Sequence, residues 1–178
     1  MSLTSNEHVN KWVQEMVAMT QPDRIVWIDG SEEQLEELRR EALATGELIK
    51  LNEKYLPGCY LHRSDPNDVA RVEDRTFICS EKQEDAGPTN NWMDPGKMYE
   101  KLRGIFTGCM RGRTMYVVPY SMGVVGSPFA KYGIELTDSI YVVVSMAIMT
   151  RMGKQVYEAL GNSPDFVKGL HSKAELDP

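Results

Sequence analysis

Apolar residues recur at helical spacing in several stretches of this chain, separated by short β-branched or aromatic runs bounded by glycine and proline. Val9, Trp12, Val13, Met16 and Val17 form one helical stripe, with Thr4-x-x-Glu7 reading as its capping box and Pro22 helping to end it. Arg24–Asp29 reads as a strand stopped at Gly30. Ser31-x-x-Gln34 is a second capping box, followed by a stripe of Leu35, Leu38 and Ala42 that Gly46 closes. Leu48–Leu51 and Cys59–Leu61 read as strands around a Leu56-Pro57-Gly58 turn. Asp65-Pro66-Asn67-Asp68 is turn chemistry that can cap a helical turn through Arg71, and Thr76–Cys79 is a further short strand.

Glu81–Asn91 is polar, contains Gly87 and Pro88, and reads as a surface loop. Asp94-Pro95 starts a helix whose buried side is Met98, Leu102, Ile105 and Phe106. Thr114–Val118 reads as an inner strand, Pro119–Pro128 as a structured loop and Ile134–Leu136 as a strand. From Ser139 to Met152 two readings compete. Val142, Val143 and Val144 favour strand, whereas the length of the segment and the stop at Gly153 favour helix, which we adopt. Lys154–Leu160 is the last predicted helix, ended by Gly161. The β-α order predicts an α/β fold, with a mixed sheet flanked by helices.

A length of 178 residues suits one domain or at most two small ones, and we take 1–178 as a single domain. The chain is 42% apolar and 26% charged, within the normal range for a folded protein. Its net charge of −6 argues against a general grip on nucleic acid, which needs a basic face. No apolar run is long enough to span a membrane, and no basic segment precedes an apolar one as in a secretory signal. Cys59, Cys79 and Cys109 are odd in number and lack a C-x-x-C pair, so free thiols in a reducing cytoplasm are expected.

The candidate chemistry is sparse. His8, His62 and His171 have no metal-ligand spacing, no nucleophile elbow is present, and no phosphate-cradling glycine loop occurs. Arginines remain. Arg71 offers a planar fork suited to a carboxylate, although pairing with Glu73 or Asp74 would also account for it. Arg111 and Arg113 form a small basic cluster that a solvated turn equally explains.

Several strings, in order along the chain, resemble the GTP-dependent phosphoenolpyruvate carboxykinase family. They are Asp29-Gly-Ser-Glu-Glu33, Asp65-Pro-Asn-Asp-Val-Ala-Arg71, the run Gly112–Pro128, Gly133-Ile-Glu-Leu-Thr-Asp-Ser139, Tyr141-Val-Val143 and Met149-Thr-Arg-Met-Gly153. The resemblance extends from about Val13 to His171. It implies the N-terminal, substrate-side domain of an enzyme that interconverts oxaloacetate and phosphoenolpyruvate plus carbon dioxide, using GTP or GDP with Mn2+ and Mg2+. Arg71 is then the residue that binds the substrate carboxylate, and Glu73 a contact to a mobile lid. Ser121, Gly123, Ser127 and Asp138 lie in family-like strings and are read as backbone-shaping or capping residues.

Family members are much longer than this chain. The glycine-rich substrate loop, the manganese ligands, the phosphate loop and the guanine pocket have no counterpart in it. The expectation is therefore a fragment without the C-terminal nucleotide- and metal-binding domain, inactive alone, with no catalytic residue and no bound cofactor of its own. Its expected partners are the small acid substrate and that missing domain, with no nucleic acid and no membrane. The parent is expected to be a cytoplasmic monomer. The competing reading is a stand-alone module that binds small carboxylates without chemistry.

Overall fold

The computed structural model describes residues 2–64 and 72–174. It divides into two compact units, Met1–Arg63 with Gly108–Glu175, and Ser64–Thr107 with Leu176–Pro178. The larger unit is built on a mixed sheet. Its strand order is β1 (Arg24–Trp27), β6 (Thr114–Met122), β7 (Lys131–Thr137) and β9 (Val167–His171), with β8 (Arg151–Met152) also pairing with β6. β1 runs parallel to β6, β6 antiparallel to β7 and β8, and β7 parallel to β9.

Helices cover both faces, which is why β6 reads as a continuous apolar run rather than an alternating one. Met115 and Val117 pack with Ile134 and Leu136 against α1 (Glu7–Thr20) and α5 (Lys154–Leu160). Tyr116 and Val118 face the other way, into a core with α2 (Glu32–Thr45) and α4 (Ile140–Met149). The mixed α/β fold with flanking helices is thus present. Trp12 against Phe166 and Trp27 against Tyr157 form two tilted aromatic pairs, each with ring centres 6.0 Å apart.

Several expected boundaries shift, each for an identifiable reason. The first helix is capped by Asn6 rather than by Thr4: the Asn6 side-chain oxygen accepts from the His8 and Val9 amides at 2.9 and 3.0 Å. Tertiary contacts select it, because the same side chain donates to the Gly161 and Ser163 carbonyls. Ser31 caps α2 as expected, but Gln34 does not return to it. Gln34 instead accepts from the Asp29 amide and donates to the Trp27 carbonyl. The expected loop from Pro119 is strand as far as Met122, because β7 supplies partners along that length. The segment after Ser139 is helix to Met149, followed by β8. β9 has no counterpart among the predicted strands.

Two glycines lock the junction between β1 and α5. Gly153, at φ +110°, crosses Gly30 so closely that a β-carbon on either would meet backbone of the other segment. The Lys154 amide then donates to the Asp29 carbonyl at 3.0 Å, and the Gly153 amide to the Pro119 carbonyl. β2 (Ile49–Lys50) and β3 (Tyr60–Leu61) form the predicted short antiparallel pair.

In the smaller unit, β4 (Phe77–Ile78) pairs in parallel with β5 (Asn91–Trp92). The expected 81–91 loop therefore contains a 3-10 turn at Gln83–Ala86 and ends in a strand. Asp94 caps α3 (Pro95–Phe106) by accepting from the Lys97 amide at 3.0 Å. None of the four residues expected on its buried side is fully buried, and Leu102 is exposed. The turn at Asp65–Asp68 and its continuation to Arg71 lie outside the described residues.

Candidate functional site

The smaller unit carries an open cleft of about 740 Å³, lined by Val72, Glu73, Asp74, Thr76 and by Thr89–Asn91. Its first wall is the 3-10 turn Glu73–Arg75, whose short length leaves the side chains in water. Asn91 opens β5 and staples this turn, because its amide donates to the carbonyls of Glu73 and Thr76. The Trp92 indole N–H donates to the Ser80 carbonyl at 3.0 Å, holding the strand that carries Asn91. Arg71 lies outside the described residues, immediately before this wall in sequence. Glu73 is exposed and lines the cleft. The ion pair in the turn is Asp74 with Arg75, at 4.0 Å and largely exposed, so its contribution is small.

The larger unit holds a dense polar cluster around the start of α4. Ser139 caps that helix by accepting from the Val142 amide. Glu47, which follows the end of α2, adds a tertiary cap: its Oε1 accepts from Ser139 Oγ and from the Tyr141 amide, both at 2.9 Å. Its Oε2 meets Lys173 Nζ at 2.6 Å. Burial alone would push the Glu47 carboxyl up, but the hydrogen bonds from Lys173, the Tyr141 amide and Ser139 together hold it below the usual carboxylate range. A carboxylate at a helix N-terminus also complements the helix dipole.

Asp138, with no exposed side-chain surface, accepts from Ser172 Oγ and the Lys173 amide, both at 2.8 Å. Arg113 approaches the same carboxylate at 3.5 Å. His171 Nδ1 and Thr137 Oγ1 are 2.9 Å apart, and His62 Nδ1 donates to the Glu47 carbonyl at 2.7 Å while stacking on Tyr141. These groups clamp the chain leaving β9. Among the described residues these groups satisfy one another.

The sequence-derived candidates therefore separate cleanly. Arg111 donates to Gln21 Oε1 at 2.6 Å and Arg113 pairs with Asp138, so the basic cluster is structural. Ser121 is buried and donates to the Gly123 carbonyl, Ser127 accepts from the Phe129 amide, and Asp138 anchors β9's exit. All three shape backbone, as expected. Asn91 and Glu47 were not anticipated. Asn91 sits in a polar loop with no periodicity, and Glu47 acts on residues 92 and 94 positions away.

Among the described residues, no group of three or more His, Cys, Asp or Glu could hold a metal ion. The Mn2+ and Mg2+ implied by the sequence resemblance thus find no ligand set among these residues. Cys59, Cys79 and Cys109 are unpaired, with burial pushing the Cys109 thiol up. No helix among the described residues is long and apolar enough to cross a membrane.

The larger unit is a mixed α/β layer structure, and the smaller unit presents a polar surface recess. Comparison with known families places the chain further. Residues 11–178 match the family described as phosphoenolpyruvate carboxykinase N-terminal domain, and the chain belongs to that family. It is 55% identical over 175 residues to phosphoenolpyruvate carboxykinase (GTP) of Anaeromyxobacter dehalogenans, covering 98% of this chain and 29% of that protein. The corresponding enzyme of Corynebacterium jeikeium is 53% identical over 176 residues, with coverage of 98% and 29%. The chain thus spans less than a third of the length of these curated relatives.

Proposed function

We propose that this chain is the substrate-side portion of a GTP-dependent phosphoenolpyruvate carboxykinase, an enzyme converting oxaloacetate and GTP to phosphoenolpyruvate, GDP and carbon dioxide. The observation that carries this reading is identity above half across 98% of the chain with enzymes of that name. In this reading Arg71 holds the carboxylate of oxaloacetate or phosphoenolpyruvate. A guanidinium stays charged at every working pH and can orient a planar carboxylate with two parallel hydrogen bonds. Such orientation lowers the barrier by ordering the reacting groups beforehand. Glu73, on the cleft wall, contacts the lid that closes over the substrate. Asn91 keeps that wall in place.

The phosphoryl step belongs to the remaining portion of such an enzyme, which supplies the GTP site and the Mn2+ and Mg2+ ligands. Alone, the chain is catalytically silent. The reading is tested with a hybrid in which this chain replaces the matching 29% of the Anaeromyxobacter dehalogenans enzyme. The assay follows phosphoenolpyruvate formation from oxaloacetate with GTP and Mn2+. A folded hybrid that binds GTP yet forms no product refutes the reading. Within an active hybrid, Arg71→Ala lowers kcat/KM for oxaloacetate by about ten- to a hundredfold, the loss of one charge-assisted contact. KM for GTP stays unchanged. An unaltered kcat/KM removes the role assigned to Arg71.

A further inference from the structure

Glu135 sits on β7 opposite Val118 of β6 and Gly169 of β9. Its neighbours Ile134 and Leu136 enter the core against α1 and α5, so Glu135 projects from the opposite face of the sheet. It is half-buried there. Its carboxyl lies directly over the Gly169 backbone, where a β-carbon would collide with Oε2. The Tyr120 ring covers Gly133 in the same manner two residue pairs further along. Two glycines thus make room for a phenol and a carboxyl laid flat on the sheet beside an edge strand.

Among the described residues this carboxyl has no cation and no hydrogen-bond donor, and burial pushes its pKa up to about 7. The groups facing it do not compensate. From β6 comes Tyr120, whose hydroxyl is itself raised, first by burial and then by the charge of Glu135. From β9, His171 is engaged with Thr137, and Lys168 lies with Nζ 5.8 Å from the Phe166 ring. α4 carries no charged residue, Tyr141 being its one titratable group, and Arg151 of β8 is exposed beside Ser121.

We propose that the charge on Glu135 governs how firmly edge strand β9 is seated on β7: the neutral carboxyl rests over Gly169, and its ionisation loosens Val167–His171. The sign follows from the two states. When β9 lifts away, Glu135 returns to water and to its ordinary value of 4.5. The seated strand is therefore favoured fully below that value, and the advantage is lost as pH rises through about 7. The proton goes to bulk water. Because β9 leads into His171, Ser172 and Lys173, loosening it also slackens the clamp at Thr137, Asp138 and Glu47.

The test is amide hydrogen exchange of Val167–His171 at pH 6.0 and 8.5, corrected for intrinsic exchange, in the wild type, Glu135→Gln and the exposed control Glu158→Gln. The expected result is a fall in β9 protection of about tenfold in the wild type and the control, and a flat response in Glu135→Gln. A flat wild-type response, or the same fall in Glu135→Gln, overturns the proposal. If Glu135→Gln does not fold, 13C titration of the wild-type Glu135 carboxyl decides instead. A midpoint shared with the Gly169 amide supports the coupling, and separate midpoints overturn it.

Discussion

Removing the Glu47 carboxylate should destabilise the larger unit through the start of α4, and the structure sets the size of the effect. Three donors meet this group: Ser139 Oγ, the Tyr141 amide and Lys173 Nζ. The Glu47 side chain is 9% exposed, whereas Lys173 is 40% exposed and can turn to water. Hydrogen bonds to a charged acceptor contribute roughly 1.5–3 kcal/mol each when their loss strands the partner. In Glu47→Ala, Ser139 still caps Val142 and the half-exposed Tyr141 amide regains solvent, so the losses do not add in full. The expected cost is about 2–3 kcal/mol, while Glu47→Gln, which keeps an acceptor for Ser139 and Tyr141, should cost about half of that.

The pH dependence gives an independent check. The folded Glu47 carboxyl lies below its ordinary value of 4.5, so its stabilisation is fully present above that value and disappears as pH falls through the folded pKa. The gap between wild type and Glu47→Gln should be constant from pH 6 to 8 and close on acidification below pH 4.5. Urea unfolding, monitored by exchange of the buried amides of β6 so that the smaller unit does not contribute, measures both. A cost for Glu47→Ala under about 0.5 kcal/mol would refute the reasoning. So would a gap that is independent of pH down to pH 3.

Two further predictions concern packing in the same unit. The Tyr157 hydroxyl is buried without a hydrogen-bond partner among the described residues, so Tyr157→Phe should leave stability unchanged or raise it by about 1 kcal/mol; a loss above 1 kcal/mol in the same unfolding experiment would reveal a partner. Gly153→Ala should cost more than about 2 kcal/mol, since φ +110° disfavours a side chain and the new β-carbon meets the Asp29 carbonyl and Gly30, whose Cα would be 2.9 Å away. Thermal unfolding of that variant reports the loss, and a wild-type midpoint would contradict the crossing.

Local signals in the sequence determined a good part of this protein. The stripe from Val9 to Val17, the Ser31 and Asp94 caps and the stop at Gly46 each depend on residues within a few positions. Their hydrogen bonds and periodicity are therefore legible without the fold. The ordered family strings likewise announced the family that the comparison confirms. Tertiary structure decided what depends on partners distant in the chain. Asn6 displaces Thr4 as a cap because Gly161 and Ser163 hold its amide, and α4 is helical despite three consecutive valines because Glu47 and Ser139 satisfy its first amides. β9 exists through parallel pairing with a strand more than thirty residues earlier, a register that short-range periodicity does not encode. Glu135 shows the same division: its identity is plain in the sequence, but its partial burial against Gly169 depends on the pairing of β7 with β9.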